Sequence, residues 1–163
     1  MKRIGFGQVE PNHLSAQRTG QIYAQLPMAS DIAILENGQF VKYDYENNVV
    51  NYTGKGEWML VFNEVKLYES RMGNKDFALK AENCVGGAAY PRVFKTNVGD
   101  IYTTNCIGVP ESEVDVEVGN IYIPGEAGFL VPGTLSSEGM KWQAVKVYTL
   151  ADGQTAVKLM RIA

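Results

Sequence analysis

The sequence predicts a mainly β protein: a compact β-sandwich or β-barrel of short antiparallel strands with an extended N-terminal arm. Three observations predict it. Val98-Gly99-Asp100-Ile101-Tyr102 and Val118-Gly119-Asn120-Ile121-Tyr122 repeat one turn-into-strand device. Gly accepts positive φ without steric cost, Asp and Asn hydrogen-bond their own backbone, and Ile and Tyr suit a half-buried pleated surface. The stretch Trp142 to Ile162 reads as two strands around Asp152-Gly153, a strong hairpin-loop signal. Short apolar runs recur at roughly 8–12-residue spacing with no βαβ alternation, which disfavours a parallel-sheet enzyme fold.

Taken in order, residues 1–30 form the arm and residues 31–163 a single β-rich domain. The arm carries Gly5, Gly7, Pro11, Gly20 and Pro27 among scattered polar residues. Two readings of it stand: a terminal tail poorly ordered alone, or a segment that orders against a neighbouring subunit. Phe6, Leu14, Ile22, Tyr23 and Leu26 are more apolar than a solvated tail requires.

In the domain, Ile32-Ala33-Ile34-Leu35 is short and apolar, and Glu36-Asn37-Gly38-Gln39 is a turn carrying the Asn-Gly hairpin signal. Phe40 to Tyr45 alternates, with Phe40, Lys42 and Asp44 on one side and Val41, Tyr43 and Tyr45 on the other. Glu46-Asn47-Asn48 turns the chain, Val49 to Thr53 returns it, and Gly54-Lys55-Gly56 breaks it. Trp58 to Phe62 is a continuous apolar run, the mark of a strand buried on both faces, and it continues through Tyr68, where helix is the competing reading. Residues 69–83 hold one short helix or a long loop, with Gly73 and Asn74 favouring the loop. Val114-Asp115-Val116-Glu117-Val118 has period-two alternation, valines inward and acids outward. In the C-terminal hairpin Val145, Val147 and Thr149 share one side, and Trp142, Ala144, Tyr148 and Leu150 the other.

Composition narrows the function classes. A chain of 163 residues with 45% hydrophobic content buries a real core. Its net charge of −3 disfavours direct nucleic-acid binding, since only Met1-Lys2-Arg3 is locally basic. No signal peptide and no membrane-spanning run is legible, so the expectation is a soluble protein made in a cytoplasm. Cys84 and Cys106 are expected as free, mostly buried thiols.

No residue cluster names a reaction. The single histidine, His13, lies in the polar arm; a triad or a zinc site needs an imidazole held in a formed site. The cysteines lack Cys-x-x-Cys spacing. Tyr52-Thr53-Gly54-Lys55-Gly56-Glu57 is a hairpin loop, since a P-loop needs Gly-x-x-x-x-Gly-Lys-Ser/Thr between strand and helix. Glu111, Glu113, Asp115 and Glu117 share a strand face, read as its wet side, with a weak calcium alternative. Asn51-Tyr52-Thr53 matches a glycosylation acceptor but carries no weight without a secretory signal. Tyr43, Tyr45, Tyr52, Tyr68, Tyr90, Tyr102, Tyr122 and Tyr148 could build a sugar-stacking surface, but core or interface is the home expected for them. The expectation is no enzyme, no catalytic residue, no metal and no cofactor.

Leu35-Glu36-Asn37-Gly38-Gln39-Phe40-Val41-Lys42-Tyr43-Asp44, the stretch Phe94 to Asn105, and the ending Val147 to Leu159 resemble head decoration (capsid cement) proteins and head-fibre bases of tailed phages. The resemblance implies a virion structural protein on the capsid exterior. It would bind the major capsid protein, often as a trimer, and stabilise the expanded shell. On that reading the arm is the clamp, and composition makes Phe6, Ile22, Tyr23 and Leu26 its anchors. The alternative is a tail, baseplate or fibre component, or a carbohydrate-binding β module that contacts a host surface.

Overall fold

The structure, a computed structural model, describes residues 3, 5–11, 21–63, 78–84, 87–150 and 152–163. In chain order its strands are β1 (Val9–Glu10), β2 (Ile22–Tyr23), β3 (Leu35–Glu36), β4 (Phe40–Asp44), β5 (Val49–Asn51), β6 (Met59–Val61), β7 (Ala78–Leu79), β8 (Val93–Phe94), β9 (Ile101–Thr104), β10 (Ile121–Pro124), β11 (Leu130–Gly133), β12 (Trp142–Thr149) and β13 (Thr155–Arg161). They form a six-stranded outer sheet β1-β9-β13-β12-β10-β11, a five-stranded middle sheet β2-β8-β6-β4-β5, and a two-stranded cap β3-β7. The strand pairs are antiparallel and the fold is sandwich-like.

The middle sheet is apolar on both sides. Ile22, Phe94, Leu60 and Phe40 lie in register across it and point toward the outer sheet, where Tyr102, Tyr122, Trp142, Val157 and Leu159 receive them. Its other face presents Val41, Tyr43, Met59, Val61 and Val93 to a second core closed by Met28, Ile32, Leu35 and Ala89. The run Trp58 to Phe62 therefore does supply a two-sided strand: Met59, Leu60 and Val61 are all buried, with β4 and β8 on either flank. Its continuation past Asn63 lies outside the described residues. Of residues 69–83, Ala78–Leu79 is a strand and Ala81–Asn83 a single 3₁₀ turn.

The repeated pentapeptide is one device in three dimensions as well. Gly99 (φ +94°) and Gly119 (φ +95°) occupy the left-handed region. Gly99 N donates to Arg161 O at 2.8 Å and Arg161 N to Asp100 O at 2.9 Å. Gly119 N likewise donates to Ala144 O at 2.8 Å and Ala144 N to Asn120 O at 2.9 Å. Both copies thus dock at the open end of the β12–β13 hairpin, one along each side, and both deliver a fully buried tyrosine, Tyr102 and Tyr122. Between them Trp142 packs 4.8 Å from the Tyr102 ring at 88° and 5.8 Å from the Phe40 ring at 52°. The edge-on Tyr102–Trp142 contact adds about 0.5–1.5 kcal/mol beyond buried area.

Three local expectations need correction. Asn37-Gly38 turns the chain (Gly38 φ +96°) but closes no hairpin: β3 pairs with β7 in the cap, and β4 enters the middle sheet beside β6. Val114 to Val118 runs as an irregular segment and not as a β-strand. Val114 and Val116 still pack on the first core, while Val118 is 66% exposed because the Gly119 turn lifts it away. In β12 the register slips between Ala144 and Lys146. The extra residue flips the later side chains, so Val147 lies opposite Val157 on the core side and Tyr148 faces outward with Lys146 and Lys158.

Replacing Trp142 by Ala removes the centre of the first core and should cost about 3–5 kcal/mol in urea unfolding. Val118→Ala, at an exposed site, should stay within about 0.5 kcal/mol.

Candidate functional site: the cleft at the root of the arm

Three segments meet where the arm joins the body: residues 5–8, the turn Glu36 to Gln39, and the end of β9 running into Cys106. They approach closely because glycine allows it. A Cβ on Gly7 would sit 2.2 Å from Asn37 O, and one on Gly38 would sit 2.7 Å from Cys106 Cβ. The arm then continues along β9: Gln8 N donates to Asn105 Oδ1 at 2.6 Å, Thr104 Oγ1 to Gln8 O at 2.6 Å, and Val9 pairs with Thr104.

Charge fixes this root. Arg3 and Glu36 form an ion pair with both side chains nearly buried. Glu36 Oε2 also accepts Gly7 N at 2.6 Å, and Arg3 Nη2 reaches Glu36 Oε1 at 3.3 Å. Gln39 extends the network: its Oε1 accepts Glu36 N at 2.6 Å, and its Nε2 donates to Ala127 O at 2.8 Å and to the Tyr52 hydroxyl at 3.3 Å. Burial pushes the Tyr52 hydroxyl up to about 12. Burial likewise pushes the Cys106 thiol up to about 12, against the opposing pull of the Arg3 guanidinium beside it. Gly128 seats the neighbouring turn, since φ is +73° there and a Cβ would lie 1.9 Å from Phe40 O.

Above this polar floor opens a cleft of about 590 Å³ with walls of Phe6, Ile32, Ala33, Ile34, Pro110 and Phe129. Ile34 is 40% exposed and Asp31 stands exposed among the lining residues. The floor's donors and acceptors are spent on one another, so the surface offered to a ligand is chiefly apolar. Burying such a wall against a partner is the favourable step this arrangement provides.

The four residues read from sequence as arm anchors separate here. Phe6 is half-buried in the cleft, with the Lys80 ammonium 5.8 Å from its ring centroid. Ile22 packs on the first core, and Tyr23 and Leu26 on the second, so these three are half-buried within the chain's own sheets. Sequence reasoning missed Ile34 and Phe129 as cleft walls and Arg3 with Glu36 as its floor; the short apolar run 32–35 was the available signal. His13 lies outside the described residues. Cys84 and Cys106 are free thiols. Glu111, Glu113, Asp115 and Glu117 are exposed, and among the described residues no three His, Cys, Asp or Glu side chains converge. The Tyr52 to Trp58 segment is not the hairpin loop expected of it: it carries the chain across β4 from β5 to β6, which flank that strand on opposite sides, and Lys55 pairs with Glu46 at 2.7 Å.

Comparison with protein families, with curated proteins and with solved structures finds no match for this chain.

Glu36→Gln leaves the Arg3 guanidinium without its counter-charge and should cost about 3 kcal/mol, most of it recovered when Arg3→Met is added, as read by urea midpoints. The thiol gives a pH prediction. Its folded value lies above its unfolded one, so its contribution is complete below pH 9 and is lost as pH rises toward 12. Stability measured across that window should fall less steeply in Cys106→Ala than in the native chain.

Proposed function

We propose that this chain is a virion structural protein that decorates the outside of a tailed-phage capsid and bridges neighbouring capsid subunits. The observation that carries the reading is the apolar cleft at the arm root, set over a polar floor whose groups are already satisfied. A built socket of this kind suits a side chain or loop of a protein partner better than turnover of a small molecule. The resemblance of the turn-and-strand stretches to capsid cement proteins supports the identity of the partner, the major capsid protein, and the site of action, the virion exterior.

The physical role follows from linkage. A module that binds only the assembled, expanded shell lowers the free energy of that state and of no other, so the shell resists disassembly by the full binding term. Many copies of a modest contact then add up to a large effect. In this reading the arm acts through its root: Arg3, Gly5 and Phe6, seated on the body, line the socket, with Phe6 as its anchor. The chain carries no catalytic residue, metal or cofactor in this role, and a homotrimer is the assembly proposed for it on the capsid lattice.

Mixing the purified chain with empty capsids built from the major capsid protein of the same virus should give co-sedimentation through a sucrose gradient. Ile34→Glu should weaken that binding about tenfold or more by placing a charge in the apolar wall. A chain that stays at the top of the gradient in every capsid preparation would reject the proposal.

A further inference from the structure

Tyr45 stands 68% exposed yet is firmly placed. It leaves β4 at the turn 45–48, and that turn is pinned by Asp44. Asp44 Oδ1 accepts Glu46 N and Asn47 N, each at 3.1 Å, and its Oδ2 accepts Asn47 Nδ2 at 2.8 Å and Asn51 Nδ2 at 3.0 Å. The Tyr45 ring lies 5.6 Å from Tyr43 at 76°, and Tyr43 lies 5.6 Å from Tyr23 at 79°. Each contact is edge to face. Braced in this way, Tyr45 keeps at least one ring face open to solvent.

Two clefts meet at this step and share Tyr43, Tyr45 and Gly56. One, of about 350 Å³, is bordered by Glu46, Thr53 and Lys55; the other, of about 120 Å³, by Tyr23, Glu57 and Lys95. Apart from Asp44, whose carboxylate serves the turn, the charged groups along them are paired with each other. Lys55 Nζ is 2.7 Å from Glu46, while Lys95 Nζ at 3.4 Å and Arg161 Nη2 at 3.0 Å both meet Glu57. The groove therefore presents a flat aromatic face between alternating donors and acceptors, with little net charge.

We propose that the Tyr45 shelf binds a neutral saccharide, one hexose ring stacked by its C–H face on Tyr45 and its hydroxyls bonded to the Glu46–Lys55 and Glu57–Lys95 pairs. The match is chemical. A pyranose offers an apolar face and a rim of groups that both donate and accept, which is what a carboxylate and an ammonium side by side can use. A polyanion would meet a carboxylate beside every ammonium it approached. A proline-rich peptide would use the ring face and leave the paired charges unanswered. The shelf would work on a free chain and on a capsid-bound one alike, and many copies on one particle would turn weak single-site binding into avidity.

The test is an array of neutral oligosaccharides built from glucose, mannose, galactose and N-acetylglucosamine, probed with the full chain, followed by calorimetry on the best binder. At least one neutral class should bind, with affinity nearly independent of salt between about 50 and 500 mM. Tyr45→Ala should weaken it about tenfold while the melting temperature holds, and Tyr45→Phe should retain it. Glu46→Gln with Lys55→Gln should weaken it without touching the stack. Absence of binding to every neutral glycan overturns the proposal, as does native affinity in Tyr45→Ala. So does binding confined to anionic glycans or to proline-rich peptides.

Discussion

Burial of both faces of the middle sheet is the constraint on which the rest of this molecule depends. Phe40, Leu60 and Phe94 point one way and Val41, Met59, Val61 and Val93 the other, so neither face tolerates water. Each apolar face demands a cover, because a two-sided strand left half-open would expose several large side chains at once. The outer sheet covers one face and the β3–β7 cap, with the loops around it, covers the other. The Trp142 cluster is the first closure, and Met28, Ile32 and Leu35 provide the second.

That demand explains the polar root of the arm. Bringing the chain from the cap into the middle sheet forces the Glu36 to Gln39 turn through a crowded interior, where backbone and side-chain polar groups leave water. Each must then find a partner inside. Arg3, Gly7, Gln39, Tyr52 and the Asn37–Asn63 pair supply those partners. Asn63 Oδ1 in turn accepts Arg92 N at 2.9 Å, tying the network to the strand on the far side of β6. The buried Arg3–Glu36 pair gains little net stability over an apolar alternative, but breaking it is costly, so it specifies one path for the arm. The cleft is what remains above this satisfied floor.

The two proposed binding surfaces differ in kind. At the arm root the wall is chiefly apolar, with the Arg3–Glu36 pair beneath it and Asp31 exposed among the lining residues, which suits a protein surface. At Tyr45 the ring is exposed and the charges line the rim, which suits a hydroxyl-rich ligand. The distinction comes from how each turn is closed. Glu36 turns its carboxylate inward to Arg3 and Gly7, whereas Asp44 spends its own carboxylate on the turn backbone and on Asn47 and Asn51, leaving Tyr45 outside.

The sequence by itself determined the mainly β class, the two-sided strand at Met59–Val61, the alternation of β4, the C-terminal hairpin and the twofold use of the Gly-Asp/Asn device. These are local matters, set by φ preference at glycine and by side-chain period along a strand. It carried less of the candidate sites: Phe6 and the short apolar run 32–35 were visible, but their meeting with Phe129 and the Arg3–Glu36 pair was not. Only the tertiary structure decided that Asn37-Gly38 joins two sheets, that a bulge after Ala144 turns Tyr148 outward, and that Ile22, Tyr23 and Leu26 serve the chain's own cores. The physical reason is common to all three: pairing and burial are set by contacts between segments distant along the chain, and no local preference encodes which segment arrives.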